Sequence, residues 1–264
     1  MLYYFMIYSF LGWVIEVSYH AVTLGKVVNR GFLNGPICPV YGVGVSLVLL
    51  TVQGLGRRNI ETSNPLVLFI IGIVLATGAE LIAGYLLDKL FHARWWDYSK
   101  EKFNLGGYIC LSFSLIWGLA IAFVLRVIQP VIALGVSRIP MTFAYISLTI
   151  FYIVFIVDIV LTTMSVLKLN KQLEQVANLK SALLLVSDNM SEVIGNETIK
   201  AMSMINDTKE KSTEKRAELE RKLEDLKNDF TRHALFGKGR LLRALPEIHH
   251  KKYDEIIRWI KERK

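Results

Sequence analysis

The chain has 264 residues, of which 53% are hydrophobic and 20% charged, and its mean hydropathy of +0.39 is too high for an ordinary water-soluble domain of this length. The formal net charge of +8 does not point to nucleic acid, because basic loops and a basic tail on one side of a membrane reach such a balance unaided. Only 10 of the 31 Lys/Arg and 7 of the 23 Asp/Glu lie in residues 1–167, so a membrane domain, 1–167, is expected to precede a charged tail, 168–264.

A helix crosses a bilayer with about 20 apolar residues, and five such runs are expected in the first two-thirds of the chain. The first covers residues 2–24. It lacks the positive start and small-residue cleavage site of a secretory leader, so it is expected to be retained. The second runs from Pro36 to Leu55, and the third, 65–88, opens at Asn64-Pro65, proline being suited to a first helical turn. A polar aromatic loop, Phe91 to Ser99, separates it from the fourth, 105–128, which Gln129-Pro130 closes. The fifth starts near Pro140 and runs to Val166.

With the N-terminus outside, the inner loops hold Lys26, Arg30, Lys89, Arg94, Lys100 and Lys102, and the outer loops hold Arg57, Arg58, Arg126 and Arg138. That bias, with the basic tail, predicts a multi-pass protein of the cell membrane with its C-terminus in the cytoplasm. The tail reads as helices. Val166, Leu169, Leu173, Val176, Leu183 and Met190 form one apolar seam, and Leu219, Leu223, Leu226 and Phe230 another. Helices packing on one another, or a coiled coil joining two copies, would use such seams. After Gly237 and Gly239, the basic stretch Arg240 to Pro246 fits the membrane surface or a cap on the tail helices.

Three acids interrupt the apolar runs: Glu16, Glu80 and Asp158. A carboxylate at that depth faces protein or water rather than lipid. Each lies eight residues before the expected inner end of its run, about 12 Å along the helix axis, so all three fall in the cytoplasmic half. Gly72, Ala76, Glu80 and Gly84 recur every fourth residue and place Glu80 on a small-residue face where another helix can approach. Ser114, Gly118 and Ala122 form a similar ridge, and Trp13, Glu16 and His20 share a face on which Glu16 and His20 can share a proton. Each acid has a plainer reading as a hydrogen-bonding device between helices, and for Asp158 the nearby Thr162 and Thr163 favour it. Glu16 and Glu80, with Arg30 as a partner, carry the functional reading. His20, Trp95 and Trp96 read first as interfacial residues. Cys38 and Cys110 lack metal-ligand spacing and read as small apolar thiols. No metal or other cofactor is expected.

The segment Asn29-Arg30-Gly31-Phe32-Leu33-Asn34-Gly35-Pro36, continued by Pro39-Val40-Tyr41-Gly42, resembles the hallmark of a bacterial membrane-protein family, the type IV ABC-transporter permeases. Ser9, Gly12, Trp13 and Glu16 in the first run are similar to that family's pattern, as are Glu80, the loop Arg94 to Ser99, and Asn104, Gly107, Ile109, Cys110, Leu111, Ser114, Trp117 and Gly118. The likeness is close over residues 1–130 and loose in the tail. Tyr108 departs from it, standing where the family often has a basic residue, and this puts in doubt an acid pairing at that position.

The resemblance implies an all-α polytopic bundle and a role in transport. These 264 residues contain no Gly-x-x-x-x-Gly-Lys-Ser/Thr phosphate loop, so a permease role calls for a separate ATPase subunit. A cavity open to the cytoplasm would then be lined by Glu16, Arg30, Asn34, Glu80, Arg94, Asp97 and Asn104, with Gly35 to Pro39 as a broken-helix entrance. Expected partners are the lipid bilayer, that ATPase and a second copy of the chain, and not nucleic acid. Two other readings stay open. One is a membrane-anchored scaffold or sensor that binds partners through its tail. The other is a membrane-embedded lipid enzyme, for which no catalytic set stands out.

Overall fold

The computed structural model describes residues 1–25, 27, 29, 31–55, 64–195, 213–226, 228, 249–250 and 253–262. They fall into two units, Met1–Met164 with Leu241–His249 and Ser165–Arg240 with His250–Lys264.

The first unit is a polytopic helical bundle. Its helices are α1 (Leu2–Leu24), α2 (Pro39–Gly54), α3 (Pro65–Phe91), α4 (Leu111–Phe123), α5 (Gln129–Ser137) and the first part of α6 (Met141–Gly195). Among the described residues, four stretches are long and apolar enough to cross a membrane: Leu2–Thr23, Pro65–Phe91, Leu111–Ser137 and Met141–Val186. The second of the five expected spans needs correction. It forms 16 helical residues, about 24 Å, and starts at Pro39 rather than Pro36. Residues 31–36 follow a series of bends, and Cys38 is the extended N-cap.

The fourth span also differs from expectation. Its first residues, 105–110, belong to a hairpin in which β2 (Asn104–Leu105) pairs antiparallel with β3 (Ile109–Cys110). Gln129-Pro130 does not close the helix. A π-helical turn, Val124–Ile128, precedes the proline, and α5 follows without a break. Pro130 lacks an N–H and its ring would crowd the carbonyl one turn back, so the wider turn lets the helix pass it. The helix that carries the fifth span continues past Val166, since no glycine or proline interrupts residues 167–194. At the start of α3 the Asn64 side chain accepts the Leu66 N–H at 2.9 Å, and Pro65 occupies the first turn.

Small residues set the packing. On α2, a Cβ at Gly42 would stand 2.1 Å from Ser9 Oγ and 2.6 Å from the Phe5 carbonyl, so α1 and α2 touch through backbone. A Cβ at Gly72 of α3 would come within 2.8 Å of the Ile121 side chain and 3.3 Å of Gly118 Cα. The two ridges read from the sequence therefore meet. Between these contacts lies an apolar core of Val45, Val48, Leu49, Val52, Leu68, Ile121 and Leu125. Tyr8 joins it and donates to Gln129 Oε1 at 2.6 Å. α6 attaches to α1 through Tyr3 and Ser147, whose hydroxyls lie 2.5 Å apart, and through Phe5 and Phe155 with ring centroids at 5.6 Å.

In the second unit, Val166, Leu169, Leu173 and Val176 of α6 are buried, which accounts for most of the first tail seam. Helix α7 (213–226) half-buries Leu219, Leu223 and Leu226. Across a shallow groove, its Lys222, Asp225 and Leu226 face Gln175, Asn178 and Leu179 of α6. The last helix, α8 (Asp254–Glu262), buries Ile256 and Ile257. Met190's side chain, Phe230, Gly237, Gly239 and the basic stretch 240–246 lie outside what is described.

Candidate functional site

Segment 31–38 is irregular chain packed inside a helical bundle, with Leu33 fully buried and Ile37 and Cys38 nearly so. Non-helical backbone at membrane depth must find hydrogen-bond partners within the protein, and here it does. Asp158 Oδ1 accepts the Asn34 N–H and Asn34 Nδ2, both at 3.1 Å, and Oδ2 accepts the Gly35 N–H at 2.8 Å. Thr162 donates to Asp158 Oδ1 at 3.1 Å, as its spacing suggested, and accepts Asn34 Nδ2 at 2.7 Å. On the α1 side, Asn29 Oδ1 accepts Trp13 Nε1 and the Gly31 N–H, each at 3.0 Å. The Cys38 N–H reaches the Ser9 carbonyl at 2.9 Å. Asn34 is thus engaged with α6, and Asp158 pins the segment. Arg30 lies outside the described residues.

Pinning the segment sets the start of α2 beside the middle of α1, with Tyr41 against Gly12. Tyr41 donates its hydroxyl to Glu16 Oε1 at 2.7 Å. Its ring meets Trp117 of α4 edge-on at 5.4 Å, and Trp117 Nε1 donates to Glu80 Oε2 at 3.0 Å. The other Glu80 oxygen accepts the Tyr98 hydroxyl at 3.1 Å. One continuous row, Glu16–Tyr41–Trp117–Glu80–Tyr98, therefore joins residues from four helices and a loop. Glu80 is buried and Glu16 is partly open, its side chain 33% exposed. His20 Nδ1 lies 3.6 Å from Glu16 Oε2 and 2.7 Å from the Glu16 carbonyl oxygen. Among the described residues, no Lys or Arg pairs with Glu16 or Glu80.

The loop from His92 to Cys110 positions Tyr98. After β1 (Ala93–Arg94), Arg94 bridges two acids, with Nε 3.3 Å from Asp88 Oδ2 and a terminal nitrogen 3.2 Å from Asp97 Oδ1. Its guanidinium carbon sits 4.8 Å from the centre of the Tyr108 ring, a cation–π contact. Tyr108 donates its hydroxyl to Asp88 Oδ2 at 2.6 Å. Position 108 thus meets the acid through an aromatic hydroxyl, and Arg94 supplies the positive charge. Asp97 also accepts the Ser99 N–H at 3.0 Å and makes a short bond to the Ser99 hydroxyl. Burial alone would raise the Asp97 carboxyl, but the Ser99 bonds and Arg94 outweigh it and hold it below the ordinary 3.8. Asn104 closes the loop, donating to the Glu101 carbonyl at 2.8 Å and accepting the Gly107 N–H at 3.1 Å. Burial, then the charge of Glu80, pushes the Tyr98 phenol well up, with Glu16 a lesser contributor. Tyr98 is therefore a neutral hydroxyl that donates to Glu80.

The structure accordingly brings Glu16 and Glu80 together, and gives Asn34, Arg94, Asp97 and Asn104 partners in the surrounding scaffold. The sequence reading missed Tyr41, Tyr98 and Trp117 as partners of the acids. All three stood in the motifs quoted above, but Tyr41 and Trp117 in apolar runs read as packing, and Tyr98 stood in a loop 18 residues from Glu80. Among the described residues, no group of His, Cys, Asp and Glu is arranged to hold a metal ion.

No curated protein and no solved structure matches the chain. A family profile does match, over residues 3–163, and these include every residue of the row and of the loop that positions it. The chain belongs to the family described as "Putative ABC-transporter type IV".

Proposed function

We propose that this is the membrane component of a transporter, and that the row from Glu16 to Tyr98 is its substrate-contacting site, opening toward the cytoplasm. The observation that carries the reading is the pair of membrane-embedded carboxylates with hydroxyl and indole donors but no Lys or Arg partner among the described residues. Such a pair offers a cationic substrate, or a proton, both charge and flat aromatic faces. Family membership supports a transport role, and a separate ATPase subunit would supply the energy. Arg94, Asp97 and Asn104 act by holding Tyr98 in place, and Asn34 by fixing the start of α2.

The experiment is affinity isolation from native membranes and identification of an ATPase in the complex. Its ATP hydrolysis is then measured in proteoliposomes against a panel of organic and inorganic cations. Stimulation by a cation, lost in Glu80→Gln while the melting temperature holds, supports the reading. A complex without an ATPase, or stimulation unchanged by both Glu16→Gln and Glu80→Gln, refutes it.

A further inference from the structure

The loop that carries Tyr98 runs into the β2–β3 hairpin and has a second face, which the site does not use. It presents Phe103 at 82% exposure and Leu105 at 59%. Phe103 has φ 53°, a left-handed conformation that a bulky residue rarely adopts. The hairpin enforces it, through the Asn104 bonds to the Ser99 and Glu101 carbonyls, the Gly107 N–H bond to Asn104, and the Tyr98 N–H bond to the Gly107 carbonyl at 2.9 Å. The ring is held outward, at a conformational cost, when a relaxed loop could fold it back.

Lys100 and Lys102 stand just before Phe103, both exposed, and among the described residues neither has a carboxylate within ion-pair distance. Glu101, also exposed, lies between them. Lys89, in the last turn of α3, adds a further exposed positive charge. The hairpin sits between the end of α3 and the start of α4, where Leu90 and Leu111 are 62% and 48% exposed on apolar helices. Apolar rings that water rejects, beside fixed positive charge, at the level where two helices leave the bilayer, match the chemistry of an anionic headgroup layer.

We propose that the 99–106 loop, which leads into the β2–β3 hairpin, is a lipid-docking finger. Phe103 and Leu105 enter the acyl boundary of the leaflet at their own end of the bundle, and Lys100 and Lys102 engage the phosphates of anionic phospholipids. Charge complementarity and the adjoining span ends favour lipid over a protein partner. The proposal stands apart from the transport reading, although the same hairpin places Tyr98 on Glu80, so lipid composition would reach the site through it.

The test uses the full chain with Phe103→p-benzoylphenylalanine, reconstituted in phosphatidylcholine with or without phosphatidylglycerol. It is irradiated and analysed by intact mass. A phospholipid adduct is expected, with yield rising about fivefold for each lysine that engages the anionic lipid. Lys100→Glu with Lys102→Glu should remove the rise. No lipid adduct, equal yields in the two lipid mixtures, or irradiation in native membranes that joins residue 103 to a protein instead, would overturn the proposal. A second probe is a nitroxide on Phe103→Cys, selective because Cys38 and Cys110 are buried. Collisions with oxygen exceeding those with a water-soluble nickel chelate are expected, and the reverse order would overturn it.

Discussion

Asp158→Ala tests whether one carboxylate holds the irregular segment. The substitution removes the acceptor of the Asn34 N–H, the Asn34 amide, the Gly35 N–H and the Thr162 hydroxyl. The Asn34 amide keeps Thr162 at 2.7 Å, so the larger loss falls on two backbone N–H groups. A buried donor left without a partner costs about 1–3 kcal/mol. The recovered hydration of the carboxylate, and water entering a partly open segment, bring the sum to about 3 kcal/mol, a large share of a typical total of about 5–15. The segment should then open about 150-fold more often, since each 1.4 kcal/mol is tenfold. The readout is Cys38, which ends the segment and is 7% exposed, labelled with a maleimide and followed by peptide mass. Cys110, at 1% exposure and held by the other loop, is the internal reference. Asp158→Asn keeps an acceptor for Asn34 but turns an amide donor toward the Gly35 N–H, and should fall between. If Asp158→Ala leaves the Cys38 rate unchanged relative to Cys110, the carboxylate does not pin the segment.

Gly72→Leu should separate α3 from α4, because even a Cβ would stand 2.8 Å from Ile121, and a loss of about 1–3 kcal/mol should appear as a lower melting temperature in detergent. Gly107→Ala should disorder the hairpin, since Gly107 has φ 76° and a Cβ would lie 2.5 Å from Ser99 Oγ and 2.6 Å from both Arg94 and Asp97; proteolysis within 92–110 reports it. Tyr8→Phe deprives Gln129 of a buried 2.6 Å bond and should cost about 1–2 kcal/mol by thermal unfolding. Asp97 binds its proton less readily when folded than when unfolded. Its stabilisation is therefore complete above the ordinary 3.8 and is lost as pH falls through its lower folded value, so protection of the loop amides against hydrogen exchange should hold at neutral pH and fail in strong acid, a dependence that Asp97→Asn abolishes.

Long apolar runs announce membrane helices without further information, and small residues at every fourth position announce a helix contact, so α1, α3 and the two small-residue faces were legible, though not that Gly72 meets Gly118. Hydropathy failed where it cannot separate a helix from buried irregular chain. Ile37 and Cys38 are as apolar as any helix residue, so hydropathy joined them to the second span, although Gly35 to Pro39 already read as a broken-helix entrance. The same confusion drew 105–110 into the fourth span, where Gly106-Gly107 was the neglected turn signal. Pro130 misled in the opposite direction, because a π turn is a tertiary accommodation with no local sequence mark. Thr162 was recognisable as a partner of Asp158 one turn away. Asn34 and Gly35 were not, since more than 120 residues separate them from the acid they hold.

The short second helix and the acidic row are two sides of one arrangement. A full-length α2 would run alongside the last half of α1 and bury Glu16 against apolar side chains, where an ionised carboxylate is costly. By starting opposite Gly12, α2 leaves about 18 Å of α1 beyond it, and Glu16 and His20 stand on that stretch. Irregular chain covers part of the remainder, and it persists there only because Asp158 and Asn29 satisfy its polar groups. The start of α2 then delivers Tyr41 between the two acids, and the loop after α3 delivers Tyr98 to Glu80. Lengthening α2 by replacing Gly35 and Pro36 with alanine should therefore disturb Glu16 and Glu80 together. Loss of the Tyr41 bond to Glu16 without loss of the Tyr98 bond to Glu80, seen in the vibrational spectrum of isotope-labelled tyrosines, would mean that the two halves of the row are built independently.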